Sequence, residues 1–392
     1  MKRKFRIIVG MLLLAIPLCM NAQVKVKKPG QDSNEAKEQK TEQEKTEKPK
    51  DGLTMPKISG FVQGMYQANL SDKGDLLDNT LRMRRVRLSV DGKLSNTVSY
   101  KIQGDFTRSP MLVDAYVKYK PCREFAIQVG QFKTPFTLES PINPVNLEIF
   151  DYGEAVQQLV GYKDVCGVGA LGRDLGIMAT GSLFPIENAN GYQYSIVDYA
   201  VGVFNGSGAN QLDNNNRKDL VGRLEVHPGL KALTLSGSYY YGLYKGSSVS
   251  NAEVDKPYFD HGARNRWSAG AQYNDGKLVI RGEYINGKTG FQKDIIDAEA
   301  NLITEYHFLN SNGYYGVIGY NFHAGEQKIM PVLRYEHFAK DASITKGGTN
   351  WYTVGINYWP LKSVNCKLDY SLVQKEAGDN SHRVVAMVSY KF

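Results

Sequence analysis

Segment after segment of this chain alternates apolar and polar residues with a period of two, and nowhere does an apolar run reach the ~18 residues of a membrane-spanning helix. A period of two puts successive side chains on opposite faces of a strand, so the chain is constrained to form sheet. Near its start, Ile58, Val62, Tyr66, Ala68 and Leu70 share one face, while Ser59, Gln63, Gln67 and Asn69 share the other. Val98, Tyr100, Ile102 and Phe106 likewise oppose Ser99, Lys101, Gln103 and Asp105, and Val113, Ala115, Val117 and Tyr119 oppose Asp114, Tyr116, Lys118 and Lys120. The last segment sets Val384, Ala386, Val388, Tyr390 and Phe392 against Arg383, Ser389 and Lys391. Sixteen such segments can be counted between 57 and 392, an even number that brings both ends to one side.

Two β architectures produce this alternation. A soluble sandwich buries the apolar face and wets the polar one; a membrane barrel turns the apolar face to lipid and lines a watery lumen with the polar face. Three features favour the barrel. Aromatics gather at segment ends, as in "SYYYG", "NGYYG", "TNWY" and "NYWP", where interfacial girdles belong. Connections alternate short and long. Charged residues fall on one face at a depth where a soluble core could not take them.

The ends fit export. "MKRKFR" followed by "IIVGMLLLAIPLCM" reads as a secretory leader over 1–22, cut before Gln23; Leu18 is too bulky before Cys19 for a lipidated cysteine. Residues 23–52 are charged and almost free of apolar side chains, and are expected to be a periplasmic linker. Residues 53–392 are the expected barrel domain of an outer-membrane protein. The formal charge of +8 divides into +4 on the leader, +1 on the linker and +3 on the body, a balance that argues against a nucleic-acid partner. Cys122, Cys166 and Cys366, an odd number far apart, give no disulfide framework and are read as free thiols. His227, His261, His307, His323, His337 and His382 are scattered, with neither metal-ligand spacing nor a nucleophile and base beside them, so the sequence calls for no enzyme and no cofactor.

With those features in place, the chain from about Lys57 to Phe392 resembles the phosphate-selective porin O and P family. The likeness is carried by "ISGFVQGMYQ", "RMRRVRLSVDGKL", "VGQFKTPFTLE", "GRDLGIM" and "YAVGVFNGSG", in that order. The ending "SYKF" resembles the aromatic signal read by the barrel assembly machinery through Phe392. The resemblance implies an all-β, sixteen-stranded transmembrane barrel, a homotrimer among outer-membrane lipids, that passes small anions passively. It also implies that the loop over 134–171 folds inward to constrict the pore, and "LEIFDYGEAVQQLVGY" within it is expected to contain a short helix. The loops at 245–263 and 287–311 are expected to be of moderate length.

Anion passage needs cations along the lumen that replace part of an ion's hydration without trapping it. By parity, Arg85, Arg87, Lys93, Lys101, Lys118, Lys120, Arg223, Arg264, Arg266, Arg281, Arg334, Lys367, Arg383 and Lys391 face inward. The inward acids are fewer: Asp91, Asp105, Asp114, Asp198, Asp219, Glu225, Glu283, Glu336 and Asp369. The expected pore-lining, anion-binding set is Arg85, Arg87, Lys93, Lys101, Lys118, Lys133, Arg223, Arg281 and Arg334, with Lys133 and the Arg85/Arg87 pair nearest the constriction. The inward loop is itself acidic, carrying Glu139, Glu148, Asp151, Glu154 and Asp164 against Lys163 alone, so it either repels anions or neutralises the basic wall. A general small-solute porin and a structural or adhesive barrel therefore stand beside the anion channel. Arg82 and Arg84 share parity with the lipid face, which requires either snorkelling or a bulge that switches faces.

Overall fold

The computed structural model describes residues 53–168, 171–188, 191–247, 258–296 and 302–392. The leader and linker expected over 1–22 and 23–52 lie outside them. Among the described residues, antiparallel strands close into one barrel. They are β1 (Lys57–Ser71), β2 (Leu76–Lys93), β3 (Val98–Asp105), β4 (Leu112–Tyr119), β5 (Ala126–Lys133), β6 (Arg173–Asn188), β7 (Gly191–Phe204) and β8 (Asp219–Val226). There follow β9 (Leu233–Tyr241, resumed as Leu243–Ser247), β10 (Tyr258–Asn274), β11 (Leu278–Ile296) and β12 (Leu302–Tyr320, resumed as Phe322–Ala324). The last are β13 (Gln327–Ala339), β14 (Gly348–Leu361), β15 (Val364–Lys375) and β16 (Ser381–Lys391). Each strand pairs with the next, and β16 pairs back onto β1 from Phe61↔Lys391 to Ser71↔Ser381. Closure leaves no strand edge, the condition for a sheet to sit in lipid.

The two faces of this wall decide between sandwich and barrel. Ile102, Ile177, Leu333, Val354 and Val388 lie outward and each is exposed, whereas Arg266, Arg281, Gln63 and Glu139 are among the most deeply buried side chains. That distribution is the reverse of a water-soluble protein and suits an apolar exterior around a polar interior. At the seam, Gly60 and Phe392 exchange backbone hydrogen bonds of 2.9 and 3.1 Å. A Cβ on Gly60 would meet the Arg87 carbonyl at 2.5 Å and the Phe392 ring at 2.6 Å, so the ring needs glycine beneath it.

Two expectations are corrected. The segment 287–311 is strand through most of its length, and 245–263 is strand over 245–247 and 258–263. β9 and β10 pair as far as Ser247↔Tyr258, and β11 and β12 as far as Ile296↔Leu302. Alternation locates a strand only where one face meets lipid. The backbone ladder continues beyond that point, where the pattern of side chains no longer reports it.

The connection from β5 to β6 is the long one, and it runs back inside the barrel. It contains a 3₁₀ turn at Pro144–Asn146, capped by the Asn143 side chain, which accepts from the Val145 N–H. After it comes one helix, α1 (Glu154–Leu159), within the segment expected to be helical.

Candidate functional site

The inward loop is fastened to the wall by nearly all of its acids. Glu139 accepts from both terminal nitrogens of Arg334 and lies 3.6 Å from Arg281. Glu148 accepts from Arg281 at 2.5 and 3.2 Å. Asp164 accepts from Arg266 at 2.5 and 2.6 Å and from Arg264 at 3.0 Å. Asp151 accepts from Arg85 at 2.7 Å and from Arg84. Wall acids reciprocate by taking loop backbone N–H groups: Glu283 from Leu138, Asp369 from Phe150 and Glu336 from Glu154, each at 2.8 Å.

Burial alone would raise the Asp151, Asp164 and Glu139 carboxyls. The arginines beside them outweigh burial and hold all three below the usual carboxylate range. The Cys166 thiol, which donates to Asp164 at 2.9 Å, is pushed up to about 12, first by burial and then by that neighbouring charge. Removing one partner from a buried pair of this kind costs about 3–5 kcal/mol, because the other charge is left dry.

Apolar contact completes the attachment. Phe136, Leu147, Ile149, Val156 and Leu159 pack in one cluster with wall residues Val221, Ile285, Val317 and Val332. The inner face is thus apolar where the loop covers it, which the simple assignment of polar residues to the lumen did not anticipate. Strands such as "IMPVLRY" carry apolar residues on both faces, the one mark in the sequence of a covered lumen wall.

Arg84 reaches Asp151 because of a bulge. Gln63 pairs with Arg85 and Gly64 with Met83, so Arg84 is the extra residue. Beyond it the faces exchange, and Arg82 stands opposite Met65, a side chain buried inside the barrel. Of the two explanations for these arginines, the bulge is the one found.

The candidate site residues therefore fall into two groups. In the first, Arg85 and Arg87 are buried, the latter donating to Asp105 at 3.0 Å across the strand pair. Arg281 and Arg334 hold the loop as described. Arg223 pairs with Glu225 at 3.3 Å and donates to the Thr137 carbonyl at 3.1 Å. Lys133 donates to the Ser140 and Ile142 carbonyls and to the Tyr152 hydroxyl, the last two at 3.0 and 2.9 Å. In the second group, Lys93, Lys101 and Lys118 make no ion pair among the described residues.

Lys101 lines a cavity of about 220 Å³ between loop residues Pro141, Asn143 and Pro144 and the wall of β2–β6. Lys118 and Lys120 line another of about 210 Å³, nearer the end where β1 begins and β16 finishes. Arg173 also borders the first cavity, bound to Asp114 at 2.7 and 3.2 Å. The sequence reading missed it because it stands where loop becomes strand and parity is not yet defined.

Comparison with known proteins follows the same outline. The family model for phosphate-selective porin O and P matches residues 57–392. No curated protein sequence matches significantly. Among solved structures, an anion-selective porin from Comamonas acidovorans superposes with a TM-score of 0.58 at 12% identity, covering 86% of this chain and 99% of that one. OmpT of Vibrio cholerae, in-vitro folded, gives 0.57 at 12% identity, covering 86% and 97%. The outer-membrane channel DcaP of Acinetobacter baumannii gives 0.54 at 13% identity, covering 86% and 97%. At such identities the likeness establishes the barrel and nothing finer.

Proposed function

Because this chain belongs to the phosphate-selective porin O and P family, and so is a porin of the Gram-negative outer membrane, we propose that it passes small hydrophilic anions, phosphate among them, down their gradients. The observation that carries this reading is the asymmetry of the cations: Glu139, Glu148, Asp151 and Asp164 of the loop are occupied by arginines, while Lys101 and Lys118 make no ion pair among the described residues and border the two cavities. An unpaired ammonium beside a watery cavity attracts an anion and, being a flexible point charge, releases it readily. The passage needs neither cofactor nor energy source.

A general small-solute porin is the second reading, supported by Asp198 and Glu225, which border the same cavity as Lys118. We further propose a homotrimer, the form named for one OmpT structure, and recognition by the assembly machinery through Phe392. Reversal potentials of the reconstituted protein in asymmetric KCl test the main reading. Anion selectivity supports it, a cation-selective reversal selects against it, and absence of conductance favours a structural barrel.

A further inference from the structure

Toward the end of the barrel where β1 begins and β16 finishes, β7 and β8 assemble three side chains outside the loop's network. Asp198 and Glu225 are cross-strand partners in register. His227 follows Glu225 by two residues, and its backbone N–H donates to the Ile196 carbonyl at 2.8 Å, so it shares the inward face. Its Nε2 lies 3.0 Å from Asp198 Oδ2, and one ligand atom from each of the three residues falls within 4.8 Å of the others.

The ring is oriented from outside the trio. Nδ1 sits 3.2 Å from the Leu233 carbonyl and 3.2 Å from the Thr234 hydroxyl, leaving Nε2 aimed at the carboxylates. A ring nitrogen tied to a backbone carbonyl, with the other nitrogen turned toward anionic oxygens, is the arrangement that orients metal-bound imidazoles. All three residues are half-buried, and Asp198 and Glu225 border the cavity of about 210 Å³, so an ion has a route in.

We propose that Asp198, Glu225 and His227 bind a divalent transition-metal ion of the zinc class. One imidazole with two carboxylates suits zinc and its neighbours, whereas calcium and magnesium prefer oxygen alone and copper(I) prefers sulfur. Bonds of about 2.0–2.2 Å in a tetrahedron place ligand atoms about 3.3–3.6 Å apart. The Asp198–His227 pair already spans close to one such edge, and Glu225 completes the set by turning from Arg223, its partner at 3.3 Å. That competition makes the site weaker than a dedicated structural zinc site. Three protein ligands leave a fourth tetrahedral position for water or a small anion, and Lys118 and Lys120 border the same cavity. The inference is independent of whether the pore selects anions.

The test is titration of tag-free, folded full-length protein in detergent with zinc chloride alone, followed by calorimetry. The expected result is one ion per chain, with affinity lowered at least about tenfold in His227→Ala and in Asp198→Asn, and unchanged in His382→Ala, which lies outside the trio. Folding of each variant is checked by its resistance to unfolding in SDS before heating; if His227→Ala fails that check, Glu225→Gln takes its place. Absence of zinc binding by the wild type, or unchanged binding in a folded variant of the trio, would overturn the proposal.

Discussion

The wall from β10 to β13 and the wall formed by β3 and β4 use positive charge in opposite ways. On the first, Arg264, Arg266, Arg281 and Arg334 are buried and spend their fork-shaped donors on Asp164, Glu148 and Glu139 of the inward loop. On the second, Lys101 and Lys118 keep their ammonium groups beside cavities and make no ion pair among the described residues. Arginine suits the fixed role because two parallel hydrogen bonds to a carboxylate define an orientation; lysine suits the open one because its single charge is easily rehydrated. The comparison also changes the meaning of the inward charge excess. Cations counted by parity are not cations offered to a solute, because the acids that neutralise them arrive from a loop far away in sequence.

The largest expected effect comes from breaking the first wall. Arg334→Ala leaves Glu139 buried without its chief partner and should cost about 3–5 kcal/mol. The expected outcome is a lower unfolding temperature and a larger or noisier single-channel conductance, as the loop moves off the wall. Normal conductance and stability would show that the pair does not hold it.

Acid attacks the same fastening at several points. Asp151, Asp164 and Glu139 have carboxyls depressed in the folded state. Their contribution to stability is therefore present above the unfolded carboxylate values near ~4 and is lost as pH falls through the lower folded values. The part of the thermal stability carried by these three carboxylates should decline only below about pH 4; a loop attachment that survives unchanged at about pH 1 would contradict the assignment.

A finer comparison lies within the bulge. Arg85→Ala removes a buried donor from both Asp151 and Gln63 and is expected to cost about 1–3 kcal/mol, while Arg84→Ala removes a partly exposed one and should cost about 1 kcal/mol or less. Equal losses in urea unfolding would mean that the two arginines share Asp151 evenly.

The strands and their inward and outward faces were legible in the sequence because lipid and water divide them at every second residue. Helix α1 was legible within its loop for a similar reason, since Ala155, Val156 and Leu159 form a short apolar stripe that the barrel interior buries. The partners of the arginines were not. Arg87 has no acid on its own strand before Asp91, yet its partner is Asp105 on β3, and Glu139 and Arg334 are 195 residues apart. Nor did six scattered histidines announce that His227 would meet Asp198 across a strand pair. Such pairings belong to register and loop path, which the local pattern leaves unspecified.

The most direct measurement is the reversal potential of Lys101→Glu/Lys118→Glu in a planar bilayer under the same KCl gradient as the wild type. Both side chains are partly exposed, and no ion pair among the described residues is lost, so the barrel should assemble normally. The division between a holding wall and an open wall predicts that the wild type favours chloride and that the double variant shifts toward or past zero in the cation direction, with conductance of similar size. An unchanged reversal potential in a folded double variant would contradict it.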